Sequence, residues 1–286
     1  MFVYFVLLFQ SLIASGTHIV AKVVVKDIEP VTLTMLRSLL AAIGLLIIIV
    51  VRRTKLTFDR GDYKKIALLS FLAIPVNQFL FLTAIRYTTA ANASLLYGTT
   101  PAVVLLISHF SRKEKINWKK SLGVGVAFLG ILLVVFEHGI DFRSEYTFGN
   151  ALLLVAVLAW ALYTVHGQPM ILRYGAFETS AATMLFGTLM FLPIGMIGIA
   201  KFNFVELTSS HWAGLLYLSL GTSIFAYFLW YYALGRIAAS KVAIFANLQP
   251  VLTTVLSVTL LGQAITPIFV IGGAIALTGV ILTQFG

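Results

Sequence analysis

Long apolar runs without alternation, separated by short polar stretches, recur along the whole chain; residues 39–51 and 268–282 are two of them. A helix needs ~20 mostly apolar residues to cross a hydrocarbon core of ~30 Å. Membrane β-strands would instead alternate apolar and polar residues over ~10 positions. The pattern predicts ten helical spans, at 2–25, 30–51, 64–86, 90–110, 119–136, 149–170, 178–200, 211–233, 239–261 and 267–285. Local chemistry supports several starts. Pro30 follows Asp27 and Glu29, and Pro267 follows Thr266; a capping residue or acid before a first-turn proline suits a helix N-terminus.

Composition agrees. Of 286 residues, 60% are hydrophobic and 10% charged, and the mean hydropathy is +1.00. A soluble domain carries about 25% charged residues. The formal net charge of +10 does not indicate nucleic acid, because the cations cluster in loops between apolar runs. With the N-terminus in the cytosol, Arg52, Arg53, Lys55, Arg60, Lys64, Lys65, Arg112, Lys113, Lys115, Lys119, Lys120, Arg173, Arg236 and Lys241 fall inside. Lys26, Arg86, Arg143 and Lys201 fall outside. That bias orients a multi-pass protein of the cell membrane with both termini cytosolic. No basic segment precedes the first run and no small-residue cleavage site follows it, so span 1 is expected to be retained. With no cysteine, disulfides, thiolate metal sites and cysteine nucleophiles are excluded. The residues require no cofactor or metal.

The two halves align at a constant offset of 149 without gaps. Glu29 pairs with Glu178, Met35 with Met184, Ser70 with Ser219, Pro101 with Pro250, Gly123 with Gly272, Ala127 with Ala276 and Gly130 with Gly279. Paired prolines and glycines in one register are harder to obtain by chance than paired leucines. The repeats are 1–137 and 150–286, joined by a linker at 138–149. Five spans per repeat force the second copy to insert upside down. Inverted repeats are a transporter architecture, with the binding site near mid-membrane between the copies.

The stretch from Ala84 through Pro101 to Glu114, Gly123 and Gly130 resembles the repeat of the drug/metabolite transporter superfamily, EamA type. So does the stretch from Ala233 through Gln249-Pro250, Leu261-Gly262-Gln263, Gly272 and Gly279. The resemblance covers the whole chain and is carried by diffuse motifs. It departs from the family pattern at Gln263, where Glu is usual, and at Ser11, where an aromatic is common; the repeat partner Trp160 is aromatic. The resemblance implies an all-α fold with two inverted five-helix repeats around a central cavity and spans 5 and 10 at the periphery. It also implies transport of small metabolites.

Every carboxylate lies in a loop or at a span end. That argues against antiport of cationic drugs through a membrane-embedded acid, and it removes any acid pair for hydrolysis; the chain does not read as an enzyme. Ser11, Ser15, His18 and Lys22 follow one another at helical spacing and define a polar stripe on span 1, which should face a cavity or another helix rather than lipid. Arg37 lies about 10 Å into span 2 and costs about 2.5 kcal/mol there unless paired or wet. A structural Arg bonding helix ends and a clamp for a carboxylate or phosphate both fit. Asn77 and Gln78 fall near the middle of span 3. Tyr97 and Thr100 precede Pro101, and Asn247 and Gln249 precede Pro250; a proline within a span frees a carbonyl one turn earlier. Trp160, Thr164 and Tyr227 complete the candidate substrate-binding set, whereas Trp230 to Tyr232 are expected in an interfacial aromatic belt. The small residues of spans 5 and 10 permit close helix contact, either within the chain or at the seam of a dimer; a monomer is expected. These features point to a secondary active or facilitative transporter of a small polar metabolite, amino-acid-like or anionic, working by alternating access. Its partners are the small-molecule substrate and the lipid bilayer, not nucleic acid. A passive channel is the alternative.

Overall fold

The structure is a computed structural model and describes residues 2–111, 117–136 and 144–285, the side chains of 283–285 excepted. Arg112, Lys113, Glu114, Lys115, Glu137, Asp141 and Arg143 lie outside the described residues. The described residues form helices and no strands. We number the apolar helices α1 (Phe2–Val24), α2 (Pro30–Arg52), α3 (63–87), α4 (Ala90–Phe110), α5 (Trp118–Val135), α6 (Glu145–Tyr174), α7 (Ala176–Ala200), α8 (Ser209–Leu234), α9 (Ala239–Leu261) and α10 (Pro267–Phe285); among the described residues the first nine are long enough to cross a membrane. Their order matches the ten predicted spans. One difference lies in the linker: residues 145–149 form the first turn of α6, because Ser144 Oγ accepts the Thr147 amide at 3.1 Å and caps the helix.

The expected starts of α2 and α10 hold. Pro30 is the first residue of α2, and Thr266 Oγ1 accepts the Phe269 amide at 3.0 Å. Gly175 alone separates α6 from α7, at φ +97°. A side chain at that φ would be strained, so glycine permits the reversal in one residue.

The packing obeys an exchange rule. The pair α1–α8 is matched by α6–α3, α2–α8 by α7–α3, and α1–α9 by α6–α4. The pairs α2–α7, α4–α9 and α5–α10 map onto themselves. This is a pseudo-two-fold relation between two five-helix units. Each unit has an odd number of spans, so the second is inverted relative to the first. The protein is an all-α membrane protein built from two inverted repeats. The face holding both chain termini is called here the terminal face and the opposite one the distal face.

Helices α5 and α10 stand at the periphery and pack on each other. A Cβ on Gly130 would lie 2.3 Å from the Ala276 amide nitrogen, and one on Gly279 would lie 2.2 Å from the Ala127 amide nitrogen. The small-residue faces therefore meet within the chain. Elsewhere the outer surface is apolar: Val50, Val51 and Leu129 are largely exposed, as a lipid-facing surface requires.

Several helices that line the centre are not uniform. In α3 the segment Leu72–Gln78 is π-helical around Pro75, and in α8 the segment Tyr217–Ala226 is π-helical as well. These segments are repeat-related. Such distortions are frequent at functional sites, and here they carry Asn77, Gln78, Thr222 and Ala226 to the centre. Helix α4 is interrupted at Gly98 and Thr99, so Pro101 stands in the first turn of its second half rather than within a continuous span. Helix α9 holds a 3₁₀ stretch at Ile244–Asn247 just before Pro250.

Candidate functional site

Between the repeats lies a cavity of about 70 Å³. Its wall is formed by Gln10, Ala14, Thr17 and His18 of α1, Arg37 of α2, Asn77, Gln78 and Phe81 of α3, Tyr97 of α4, Trp160 of α6, Thr222, Ala226 and Tyr227 of α8 and Gln249 of α9. Helices α5, α7 and α10 contribute no wall residue; α7 stands behind, where Met184 Sδ lies 3.7 Å from Gln78 Nε2.

Eight of the predicted substrate-binding residues reach this wall: His18, Arg37, Asn77, Gln78, Tyr97, Trp160, Tyr227 and Gln249. Four do not. Ser15 bonds the Ser11 carbonyl at 2.8 Å, and Thr253 of α9 donates to the Ser15 carbonyl, so this edge of α1 faces α9. Thr100 bonds the Tyr97 carbonyl at 2.6 Å within the α4 break. Thr164 accepts from Trp230 Nε1 at 3.1 Å, one turn beyond Trp160. Asn247 lies in the 3₁₀ stretch of α9 and is not part of the wall; its Oδ1 is buried without a hydrogen-bond partner. Gln10, Thr17 and Thr222 were not anticipated. Gln10 and Thr17 precede His18 by eight and one residues, a spacing that puts the three on one helical face. Thr222 gave no such signal, because its placement depends on the π-helical segment of α8.

Arg37 is 2% exposed. Its Nε donates to Ser223 Oγ at 2.8 Å, and its two terminal nitrogens make no hydrogen bond among the described residues. No carboxylate lies on the cavity wall. A buried guanidinium thus faces the cavity without a counter-ion.

Asn77 organises the centre. Its Nδ2 donates to the Tyr97 hydroxyl at 2.7 Å and to the Ala156 carbonyl at 2.8 Å, while its Oδ1 accepts from the Tyr227 hydroxyl at 3.2 Å. One amide therefore joins α3, α4, α6 and α8. Thr17 and Thr222 hydroxyls lie 2.8 Å apart, linking α1 to α8. His18 Nδ1 lies 2.9 Å from the Ala14 carbonyl. A carbonyl only accepts, so Nδ1 carries the proton and Nε2 of the neutral ring is an acceptor. Nε2 is buried and unpartnered, as are Gln10 Oε1 and Gln78 Oε1. These acceptors and the Arg37 terminal donors have no hydrogen-bond partner among the described residues.

Aromatic rings bound the cavity on two sides. His18, Phe81 and Tyr97 are mutually edge-to-face, with centroids 5.3 to 5.7 Å apart. On the terminal side, Trp160 contacts Tyr163, Tyr227 and Trp230, and Tyr163 stacks on Tyr231 at 4.8 Å. Trp230 and Tyr231 are fully buried, which corrects their expected place in an interfacial belt: the ring cluster withdraws them from lipid. Only Tyr232 reaches the edge, where Arg236 sits over its ring at 3.4 Å. His166 is exposed and does not reach the cavity.

Beyond the cavity, on the distal side, Lys22 Nζ donates to the carbonyls of Ile85, Arg86 and Thr88 at 2.9, 3.2 and 2.7 Å. It caps the C-terminal end of α3 rather than extending to lipid headgroups. Asn92 bonds Thr88 and Asn150 nearby, joining α4 to α6.

Comparison with known proteins gives a consistent result. The profile of the EamA-like transporter family matches residues 1–136 and 147–285. An uncharacterized transporter of Archaeoglobus fulgidus is 32% identical over 98% of this chain and 96% of its own. A probable terminal-alkyne amino-acid exporter of Streptantibioticus cattleyicolor is 25% identical over 77% of this chain and 73% of its own. One solved crystal structure superposes with a TM-score of 0.70 at 18% identity, covering 98% of this chain and 95% of the other; at that identity the likeness concerns the fold.

Proposed function

The chain belongs to the EamA-like transporter family, and from that premise we propose that it carries a small metabolite bearing a carboxylate, amino-acid-like in character, across the cell membrane by alternating access between its two repeats. The observation that supports this reading is Arg37, a buried cation on the cavity wall with its terminal donors unused and no carboxylate beside it. An anionic guest would satisfy both its charge and its fork of donors. The ring faces of Trp160 and Tyr227 would hold the less polar part of the guest. The Gln10 and Gln78 oxygens and His18 Nε2 are acceptors suited to an ammonium group. The amino-acid exporter among the relatives is compatible with that division. The proposal includes both termini in the cytosol and a monomeric unit.

A thermal-shift screen of purified protein against amino acids, organic acids, nucleosides and sugar phosphates identifies the guest, since a ligand of the folded state raises the melting temperature. Counterflow of the hit in proteoliposomes then tests carriage. Saturable counterflow of a carboxylate-bearing solute is expected. Flux that neither saturates nor shows counterflow would make the protein a channel, and stabilisation by nucleosides alone would remove the anion reading.

A further inference from the structure

The seam between α2 and α7 is a wedge. At its distal end the helices touch through glycine. A Cβ on Gly195 would meet Met35 Sδ at 2.3 Å, and one on Gly198 would meet Thr32 Oγ1 at 2.8 Å. The repeat counterparts of those glycines are Leu46 and Ile49, on the terminal half of α2. Their side chains cannot allow the same approach, and the helices stand apart there. The gap is an apolar groove of about 440 Å³, several times the central cavity. Ile43 and Leu46 of α2 and Leu185 and Leu189 of α7 form its walls, and Phe58 and Tyr63 close it toward the terminal face. Ile43, Leu46 and Leu189 are at least half exposed, so the groove opens sideways into the hydrocarbon region.

The charge at its end is mainly positive. Arg52 ends α2 and reaches across to the Phe177 ring of α7 at 5.3 Å. Arg53 and Lys55 follow it, exposed, and neither makes an ion pair among the described residues. Two acids of the region are otherwise engaged: Asp59 and Asp62 hold Arg173, and Asp62 also holds Lys65. Glu178, at the start of α7, makes no ion pair among the described residues.

We propose that the α2–α7 groove is a binding site for an anionic glycerophospholipid, one acyl chain lying between Ile43, Leu46, Leu185 and Leu189 and the phosphate group held by Arg52, Arg53 and Lys55. The bound chain occupies the open half of the wedge and holds the helices in this arrangement. The site is separate from the central cavity and stands whatever the cavity carries.

Native mass spectrometry of delipidated protein tests it. Phosphatidylglycerol and phosphatidylcholine with identical chains are added in turn. The unaltered protein should retain a phosphatidylglycerol adduct at collision energies that strip phosphatidylcholine. Leu189→Trp fills the groove from its exposed wall and should abolish that difference. Replacing Arg52, Arg53 and Lys55 by Gln should weaken phosphatidylglycerol by about fivefold per residue, with phosphatidylcholine unchanged. The charge variant alters only exposed side chains, so it remains informative if Leu189→Trp folds poorly. Equal retention of the two lipids by the unaltered protein, or an undiminished adduct in the charge variant, would overturn the site. Glycerol phosphate binding as tightly as phosphatidylglycerol would do so too, because the acyl chain would then contribute nothing.

Discussion

Arg37 on α2 and Ser223 on α8 are joined by a 2.8 Å hydrogen bond from Nε to Oγ, so the cation on the cavity wall is oriented by the opposite repeat. Ser223 is itself anchored, its Oγ lying 3.1 Å from the Leu218 carbonyl. The carbonyl five residues back is in reach because this part of α8 is π-helical. The orientation of the guanidinium therefore depends on the shape of α8 as much as on Arg37.

Arg37→Gln should lower affinity for the carboxylate-bearing hit at least tenfold, about 1.4 kcal/mol. Arg37→Lys should recover little, because an ammonium group lacks the planar fork and cannot reproduce the Nε bond. Ser223→Ala should give a smaller loss, since it frees the guanidinium without removing it. Isothermal titration or ligand-induced thermal shift of the three variants checks this order. An unchanged response to the hit in Arg37→Gln would remove the clamp.

His18 is the one histidine on the cavity wall, with Nε2 unpartnered there. If proton movement drives carriage, protonation at Nε2 is the step that the geometry offers. His18→Gln should then abolish the pH dependence of uptake in proteoliposomes while saturable exchange persists. The same pH profile in variant and parent would exclude His18 from coupling.

The architecture was legible to a considerable degree. Apolar run length gave the order of the helices, because in lipid a spanning segment must satisfy its own backbone. The residue pairs at offset 149 announced the exchange of helix partners that the packing displays. The cavity wall was less accessible. Arg37 and Asn77 stood out because polar groups at that depth need a partner or a cavity. Ser15 shares a polar stripe with His18, yet the stripe is wide enough to serve α9 with one edge and the cavity with the other. Thr164 looked like a wall residue for the same reason, and Trp230 took its hydroxyl. Thr222 and Ser223 reach their places through a π-helical segment, and in α8 no proline marks it.

The seam between α5 and α10 should respond strongly to size. Gly130→Leu would place a side chain against the Ala276 amide and the Gly272 carbonyl, at 2.3 and 2.5 Å from Cβ alone. Backbone cannot move aside as a flexible side chain can. The expected cost is about 1–3 kcal/mol, as for an overpacked core, visible as a lower melting midpoint in detergent. Gly125 has nothing within 4 Å of an added Cβ, and Gly125→Ala should stay within about 0.5 kcal/mol of the parent. Equal melting of Gly130→Leu and the parent would mean that the two helices are not held together as described.

On the terminal face, Asp62 precedes α3 and gathers Lys65, Arg173 and the Tyr174 hydroxyl, which ties the start of α3 to the end of α6. The hydrogen bond from Lys65, then that from Tyr174, holds the Asp62 carboxyl below the usual carboxylate range. A carboxylate whose folded pKa is depressed adds stability that is fully present above its unfolded pKa of about 4. The contribution is lost as pH falls through the folded value. Melting midpoints measured from pH 7 down to pH 3 should therefore drop on the acid side. Asp62→Asn should lower the midpoint at pH 7 and flatten that acid limb, since the amide does not titrate. Parallel pH curves for parent and variant would show that Asp62 contributes no linkage.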